Sequence, residues 1–151
     1  MKRVERALST AGLCAEILEM GAETRTAQQA ADAAGFELDQ IAKSIIFRGE
    51  TSGHVVLFIT AGGNRVSPER AGAVARQPLG KADAGLIRAE TGFAIGGVAP
   101  IGHLTPVTSF FDPRLLDFER VYAAAGTPRH IFAIAPAALL KLTGAQLAEF
   151  T

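Results

Sequence analysis

A chain of 151 residues, 48 % hydrophobic and 20 % charged, has enough apolar content to bury one core, which excludes a disordered chain. Fifteen basic and fifteen acidic side chains give a formal net charge of zero. That excludes coating of long nucleic acid by charge alone, which needs a basic face to offset many phosphates, but leaves room for a grip on a short terminus. The single cysteine, Cys14, excludes an internal disulfide and a thiolate metal cluster and suits a reducing cytosol.

The first residues, Met1 to Arg6, lack the apolar stretch of a signal peptide, and no apolar run is long enough to span a bilayer. A short helix is predicted over 2–11, ended by Gly12, then a strand from Cys14 to Leu18. Thr26 reads as a helix N-cap with Gln29 completing a capping box, and that helix runs through Ala30, Ala31 and Ala34 to Gly35. Ile41 to Arg48 is a β-type run. Gly49 to Gly53 is turn-like, and His54 to Thr60 is apolar on both faces, as in a buried central strand. The two runs should pair as a hairpin. Ser67-Pro68 opens another helix, with Ser as cap and Pro in the first turn. Asp83 caps a further one ending at Gly92, and residues 93–102 form a Gly-rich apolar loop. Short strands are expected near 107–111, 119–123 and 130–134, and a last helix runs from Pro136 to Gly144.

No linker, repeat or composition change divides the chain, so residues 1–151 read as one domain. Helices interrupt closely spaced strands. This points to an α/β (α+β) fold with a mixed, mainly antiparallel sheet and surrounding helices; a doubly wound parallel sheet ranks second.

Lys43 carries the first chemical signal. Strand side chains alternate, which places it in a row with Ile41, Ile45 and Phe47, opposite Ala42, Ser44, Ile46 and Arg48. An ammonium in the most apolar row either snorkels to water at a sheet edge or lines a pocket and meets an anion. Ser44 is adjacent, but neighbouring strand residues face opposite ways, so a Ser–Lys nucleophile is rejected. The second signal is Gly96-Gly97-Val98-Ala99-Pro100-Ile101-Gly102. Glycines let main-chain N–H groups approach a ligand, where they can hold a carbonyl oxygen gaining negative charge; the alternative is a tight surface turn. No Gly-Lys-Ser/Thr follows, so it is not a phosphate P-loop. His54, His103 and His130 have no ligand-like spacing, and no metal site is read from them. His54 should be solvated, His103 could border a site at the glycine loop, and His130 should pack or cap at a strand start. Cys14 suits a buried apolar position, and Asp112 before Pro113 suits a helix N-cap. Arg65, Arg70, Arg76 and Lys81 make 65–81 locally basic, either a solvated face or one that meets RNA phosphates.

Five stretches fall in order along the chain: Thr26 to Ala31, Gln40 to Phe47, Ile59 to Val66, Thr91 to Gly102, and Leu142 to Ala145. Together they resemble the YbaK/EbsC family of aminoacyl-tRNA deacylases, related to the editing domain inserted in bacterial prolyl-tRNA synthetase. The resemblance implies a single domain with a pocket for a tRNA 3′ end and hydrolysis of the ester joining a small amino acid to the terminal ribose. It implies no metal or organic cofactor. Lys43 matches the family lysine, and Gly96 to Pro100 matches the family's Gly-X-X-X-Pro loop with Gly96 leading. Substrate contacts would come from Gly97, Val98, Ala99, Pro100, Gly102, His103 and Arg65. The loop resembles the subgroup acting on alanine or 2-aminobutyrate rather than the cysteine-specific one. The expected partners are aminoacyl-tRNA and a synthetase that delivers it, with no membrane and no DNA. The competing readings are a non-catalytic tRNA- or synthetase-binding module using the same pocket, and a hydrolase of a small acylated nucleotide.

Overall fold

The computed structural model describes residues 1–13, 16–20, 27–127 and 129–151. The expected strand start at Cys14 and the N-cap at Thr26 lie outside the described residues.

Helix α1 (Lys2–Thr10) buries Val4 and Leu8, four apart and therefore on one face. Strand β1 (Glu16–Glu19) and helix α2 (Ala27–Ala34) follow. A short 3-10 turn (Leu38–Gln40) leads into β2 (Ile41–Gly49), which forms the expected hairpin with β3 (Val55–Ala61), in register from Ala42 against Ala61 to Arg48 against Val55. β3 is buried along its whole length, as its two-faced apolar pattern requires. Ser67 caps α3 (Pro68–Ala75), accepting from the Arg70 N–H at 3.4 Å. Asp83 caps α4 (Ala84–Thr91), accepting from the Leu86 N–H at 2.8 Å, and Gly92 ends that helix in the left-handed region. Such caps each stabilise by about 1 kcal/mol. The chain continues through β5 (Thr108–Phe111), a 3-10 helix (Pro113–Asp117), β6 (Val121–Thr127), β7 (His130–Ile134) and α5 (Pro136–Thr143), closed by Gly144.

Two strands were not anticipated. β4 (Leu79–Lys81) is three residues with a central glycine, and β8 (Gln146–Leu147) is two exposed residues, both too short to carry a periodic signal. The strand expected at 119–123 begins instead at Val121, because Glu119 and Arg120 are exposed and precede the pairing.

One eight-stranded sheet has the order β1-β7-β6-β2-β3-β5-β8, with β4 also on β2. Four of its ladders are antiparallel and three parallel, the mixed sheet expected. Its faces are covered unequally. The main core joins α1, the glycine loop and α5 to Ala42, Leu57, Ile59 and Phe132. A second cluster gathers Phe58, Phe110 and Phe150 with Ile45 and Phe47. The Ala42–Ile46 row and the Ile45–Phe47 row thus face different clusters, as strand alternation dictates.

β2 places the site. β3 pairs with it throughout, but on its other edge β6 pairs only with Ile41 and Ala42, and β4 only from Phe47 to Gly49. Residues 43–46 are left facing a split in the sheet.

Candidate functional site

The split is a cavity of about 600 Å³, a size typical of small-ligand sites. Every residue of β2 from Ile41 to Ile46 lines it. Across the split stand Tyr122, Ala123, Ala124 and Thr127 of β6 with His130 and Ile131 of β7, while Ile87, Ile95, Gly96 and Val98 close one end. Lys43 and Gly96, singled out separately in the sequence, line the same concavity. Among the described lining residues Lys43 carries the only permanent charge, and none is a carboxylate.

The Lys43 amine is held by main-chain oxygens. It donates to Gly62 O at 3.3 Å and to Asn64 O at 2.5 Å. An ammonium has three donors, so one remains for a ligand. The 61–64 turn that supplies these oxygens is itself braced. Asn64 N–H donates to Ala61 O at 2.9 Å. The buried Asp112 accepts from Ala61 N–H at 3.1 Å and from the Asn64 amide at 2.9 Å. Asp39 accepts from Gly63 N–H at 2.7 Å and from Arg114 Nε at 3.1 Å. A side chain on Gly62 would collide with Leu38 O, so only glycine lets the turn sit this close to the 3-10 turn before β2. Asp112 also caps the helix after β5, accepting from Arg114 N–H at 3.0 Å, as its position before Pro113 suggested.

Burial, then the nearby Arg65 guanidinium, holds the Lys43 amine below its ordinary pKa of 10.5, opposed by Asp112 and Asp39. Both leading causes disfavour the charged form. An NMR titration of the Lys43 side chain should therefore show a midpoint below 10.5, and Arg65→Gln should move it upward. A midpoint unchanged by that substitution would remove Arg65 from the neighbourhood of the amine. The unfolded chain binds the proton more tightly, so this group's contribution makes stability rise with pH between the folded midpoint and 10.5.

The glycine loop is fixed by several constraints. Gly97 N–H donates to Ala94 O at 3.1 Å, which turns the chain at Ile95-Gly96, and Gly96 has φ +94 with open space where a Cβ would lie. Gly97 is pressed against the end of β6, where a Cβ would lie 3.1 Å from Thr127 Cα. Val98 faces the cavity and Ala99 is fully buried in the main core.

The remaining expected residues lie elsewhere. Pro100, Gly102 and His103 line a separate hollow of about 400 Å³ with Leu104 and Thr143. His103 Nε2 donates to Ala99 O at 2.7 Å, and burial lowers the ring's pKa from 6.5. It therefore ties the loop from behind as a neutral ring. Arg65 is exposed and outside the cavity lining, but its charge acts on Lys43. His54 is solvated, as expected, beside Glu90 at 3.2 Å.

Sequence reasoning missed Tyr122, Thr127 and the cavity face of His130. Tyr122 stacks on Phe36 with ring centroids 3.9 Å apart. His130 opens β7 with Nδ1 2.6 Å from Thr127 Oγ1. No local signal marks them, because they reach β2 only through the β2–β6 pairing of Ile41 with Tyr122. The rejected Ser–Lys dyad is absent: Ser44 Oγ has no hydrogen-bond partner, and the Lys43 amine is bonded to Gly62 and Asn64.

A family model for the aminoacyl-tRNA editing domain matches residues 21–142. The chain belongs to the aminoacyl-tRNA editing family. The editing domain spans Lys43, Gly96 and the whole cavity lining, and the YbaK/EbsC likeness read from the motifs holds. A solved structure of a candidate trans-editing enzyme for prolyl tRNA synthetase is 45 % identical, covers 99 % of this chain and 95 % of its own, and superposes with a TM-score of 0.91. YwhH of Bacillus subtilis, of unassigned role, is 30 % identical over 140 residues, 90 % of this chain and 81 % of its own. EbsC of Enterococcus faecalis, a candidate Cys-tRNA(Pro)/Cys-tRNA(Cys) deacylase, is 26 % identical over 126 residues, 83 % of this chain and 77 % of its own. Among the described residues no helix of this editing domain is long and apolar enough to cross a membrane.

Proposed function

We propose that this chain, as one domain over residues 1–151, removes small amino acids from mischarged tRNA in the cytoplasm by hydrolysing the ester to the terminal ribose. The observation that carries the reading is the convergence of the Lys43 amine and the Gly96 turn on one cavity. The free donor of Lys43 meets the terminal phosphate or a ribose oxygen, and exposed Arg65 meets a neighbouring phosphate. Main-chain N–H groups at the Gly96 turn orient the acyl carbonyl and stabilise its oxyanion. A water attacks the carbonyl carbon, the bond to the ribose oxygen breaks, and that oxygen takes up the proton the water loses. The free amino acid and an uncharged tRNA result. Because the ester is already activated, positioning supplies much of the rate. With no carboxylate in the described lining, a substrate hydroxyl relays the proton. Gly97, Ala99, Pro100, Gly102 and His103 act by holding the loop, and Val98 by contact. A synthetase, of which prolyl-tRNA synthetase is the one named for a relative, delivers the tRNA.

The aliphatic lining, with Ile45, Ile46, Ile87 and Ile131, favours a small uncharged side chain. The loop sequence favours alanine or 2-aminobutyrate, and the likeness to EbsC brings in cysteine. Incubation with tRNA charged separately with alanine, 2-aminobutyrate, serine, cysteine and proline tests this by loss of the acyl group. Release that survives metal chelation supports the reading. Binding of charged tRNA without release would replace it with a non-catalytic module, and release only from short acyl-adenosine would make tRNA the wrong substrate.

Gly96→Ala should separate turnover from folding. No atom lies within 4 Å of the added Cβ, but φ +94 strains any other residue. Relaxing that strain, on the order of 1–2 kcal/mol, turns the N–H groups away from the carbonyl. Turnover should fall by tenfold or more while the melting temperature drops only slightly; equal damage to both would make the loop merely structural.

A further inference from the structure

Ser44 lies midway along the stretch of β2 that faces the split. Its Oγ is buried and has no hydrogen-bond partner, and the residue lines the cavity. Its main-chain groups face the same way. Gly49 N–H donates to His54 O at 2.9 Å across the hairpin, and antiparallel pairs exchange hydrogen bonds at every second residue. Lys43 and Ile45 therefore direct their main-chain groups to β3, and Ser44 directs its N–H and C=O to the opposite edge. There the β6 ladder has ended at Ala42, and the β4 ladder begins only at Phe47. One residue thus turns a carbonyl oxygen and an N–H toward the split and carries an unpartnered hydroxyl beside it.

Buried polar groups are hydrogen-bonded in the large majority of proteins, so this cluster calls for a ligand that supplies donors. Two polar groups nearby supply no free acceptor: the Lys43 amine, held on Gly62 O and Asn64 O, has only a donor to spare, and Thr127 Oγ1 is paired with His130 Nδ1. An aminoacyl ester brings a free α-amino group, a cluster of N–H donors, and the described lining has no carboxylate to receive it. We propose that Ser44, through its carbonyl oxygen and hydroxyl, receives the α-amino group of the bound aminoacyl ester. The site would then select esters with a free amine over N-acylated ones such as peptidyl esters. This inference rests on reading the cavity as an aminoacyl-tRNA site.

The test uses the full chain and two probes, 3′-alanylamino-3′-deoxyadenosine, whose amide is not hydrolysed, and its N-acetyl form, with binding measured by calorimetry. Alanyl-tRNA and N-acetylalanyl-tRNA are followed in parallel for loss of the acyl group. The free-amine probe should bind wild type at least tenfold more tightly than the acetylated one. Ser44→Ala should weaken the free-amine probe about tenfold and leave the acetylated probe unchanged. Its melting temperature should not fall, because the oxygen removed has no partner within the chain. Equal weakening of both probes, or no weakening, overturns the inference. Selective binding without hydrolysis of either ester would overturn the deacylase reading and leave the Ser44 assignment standing. Equal binding of both probes with equal hydrolysis of both esters would do the reverse. Failure of both probes to bind, with neither ester hydrolysed, would overturn both; failure to bind with equal hydrolysis of both esters would overturn the Ser44 assignment alone.

Discussion

Lys43→Ala should lower the single-turnover rate of deacylation by roughly 10²–10³-fold while leaving the fold intact. A charged donor aimed into a partly water-excluded site loses about this much when removed. Its expected contribution is large because it is the only permanent charge in the described cavity lining, and its two hydrogen bonds to Gly62 O and Asn64 O fix where the third donor points. Stability should change by less than about 1 kcal/mol, since Gly62 and Asn64 are only half-buried and their released carbonyls can turn to water. Lys43→Arg should recover little of the rate, because a guanidinium is a longer planar fork and cannot reproduce the ammonium's three-donor geometry. Rapid-quench measurement on alanyl-tRNA checks both variants. A Lys43→Ala rate within threefold of wild type would remove the amine from the reaction.

Asp112→Ala should cost about 3 kcal/mol of stability, the largest loss expected from any polar substitution near the site. The side chain is only 4 % exposed and accepts from three N–H groups, those of Ala61, Asn64 and Arg114. Its removal leaves the Ala61 N–H at the end of β3 without an acceptor, and an unpaired buried donor costs about 1–3 kcal/mol before the lost cap is added. For a chain of this size the melting temperature should fall by about 6–12 °C. Asp112→Asn keeps one oxygen acceptor but sets an amide against the Asn64 amide, so an intermediate loss is expected. Urea denaturation compares the three proteins; a loss below about 0.5 kcal/mol for Asp112→Ala would show that the 61–64 turn stands without it.

The legible parts of the fold were those with local causes. Ser67 and Asp83 cap where their side chains predict, Gly92 and Gly144 end helices in the left-handed region, and all of the two-faced apolar run after His54 lies at the buried centre of the sheet. Lys43 was conspicuous because a charge interrupts an apolar row, and Gly96 because glycines cluster. Their convergence on one cavity was not readable from that pattern. It depends on β6 pairing with only the first two residues of β2, a contact between segments some eighty residues apart. The same non-local pairing delivers Tyr122, Thr127 and His130. It also explains why His103, next to the loop in sequence, lies behind it in space, bonded to Ala99 O. Asp112 was read correctly as a cap but not as the brace of the Lys43 turn, since Asn64 and Ala61 lie a third of the chain away.

The most direct measurement is NMR shift mapping with a non-hydrolysable 3′-aminoacyl analogue of the tRNA terminus. The Lys43 ammonium and the Gly96 amide should both shift, saturating at one common ligand concentration. A response from only one of them, or saturation of the two at different concentrations, would contradict a single site built from both.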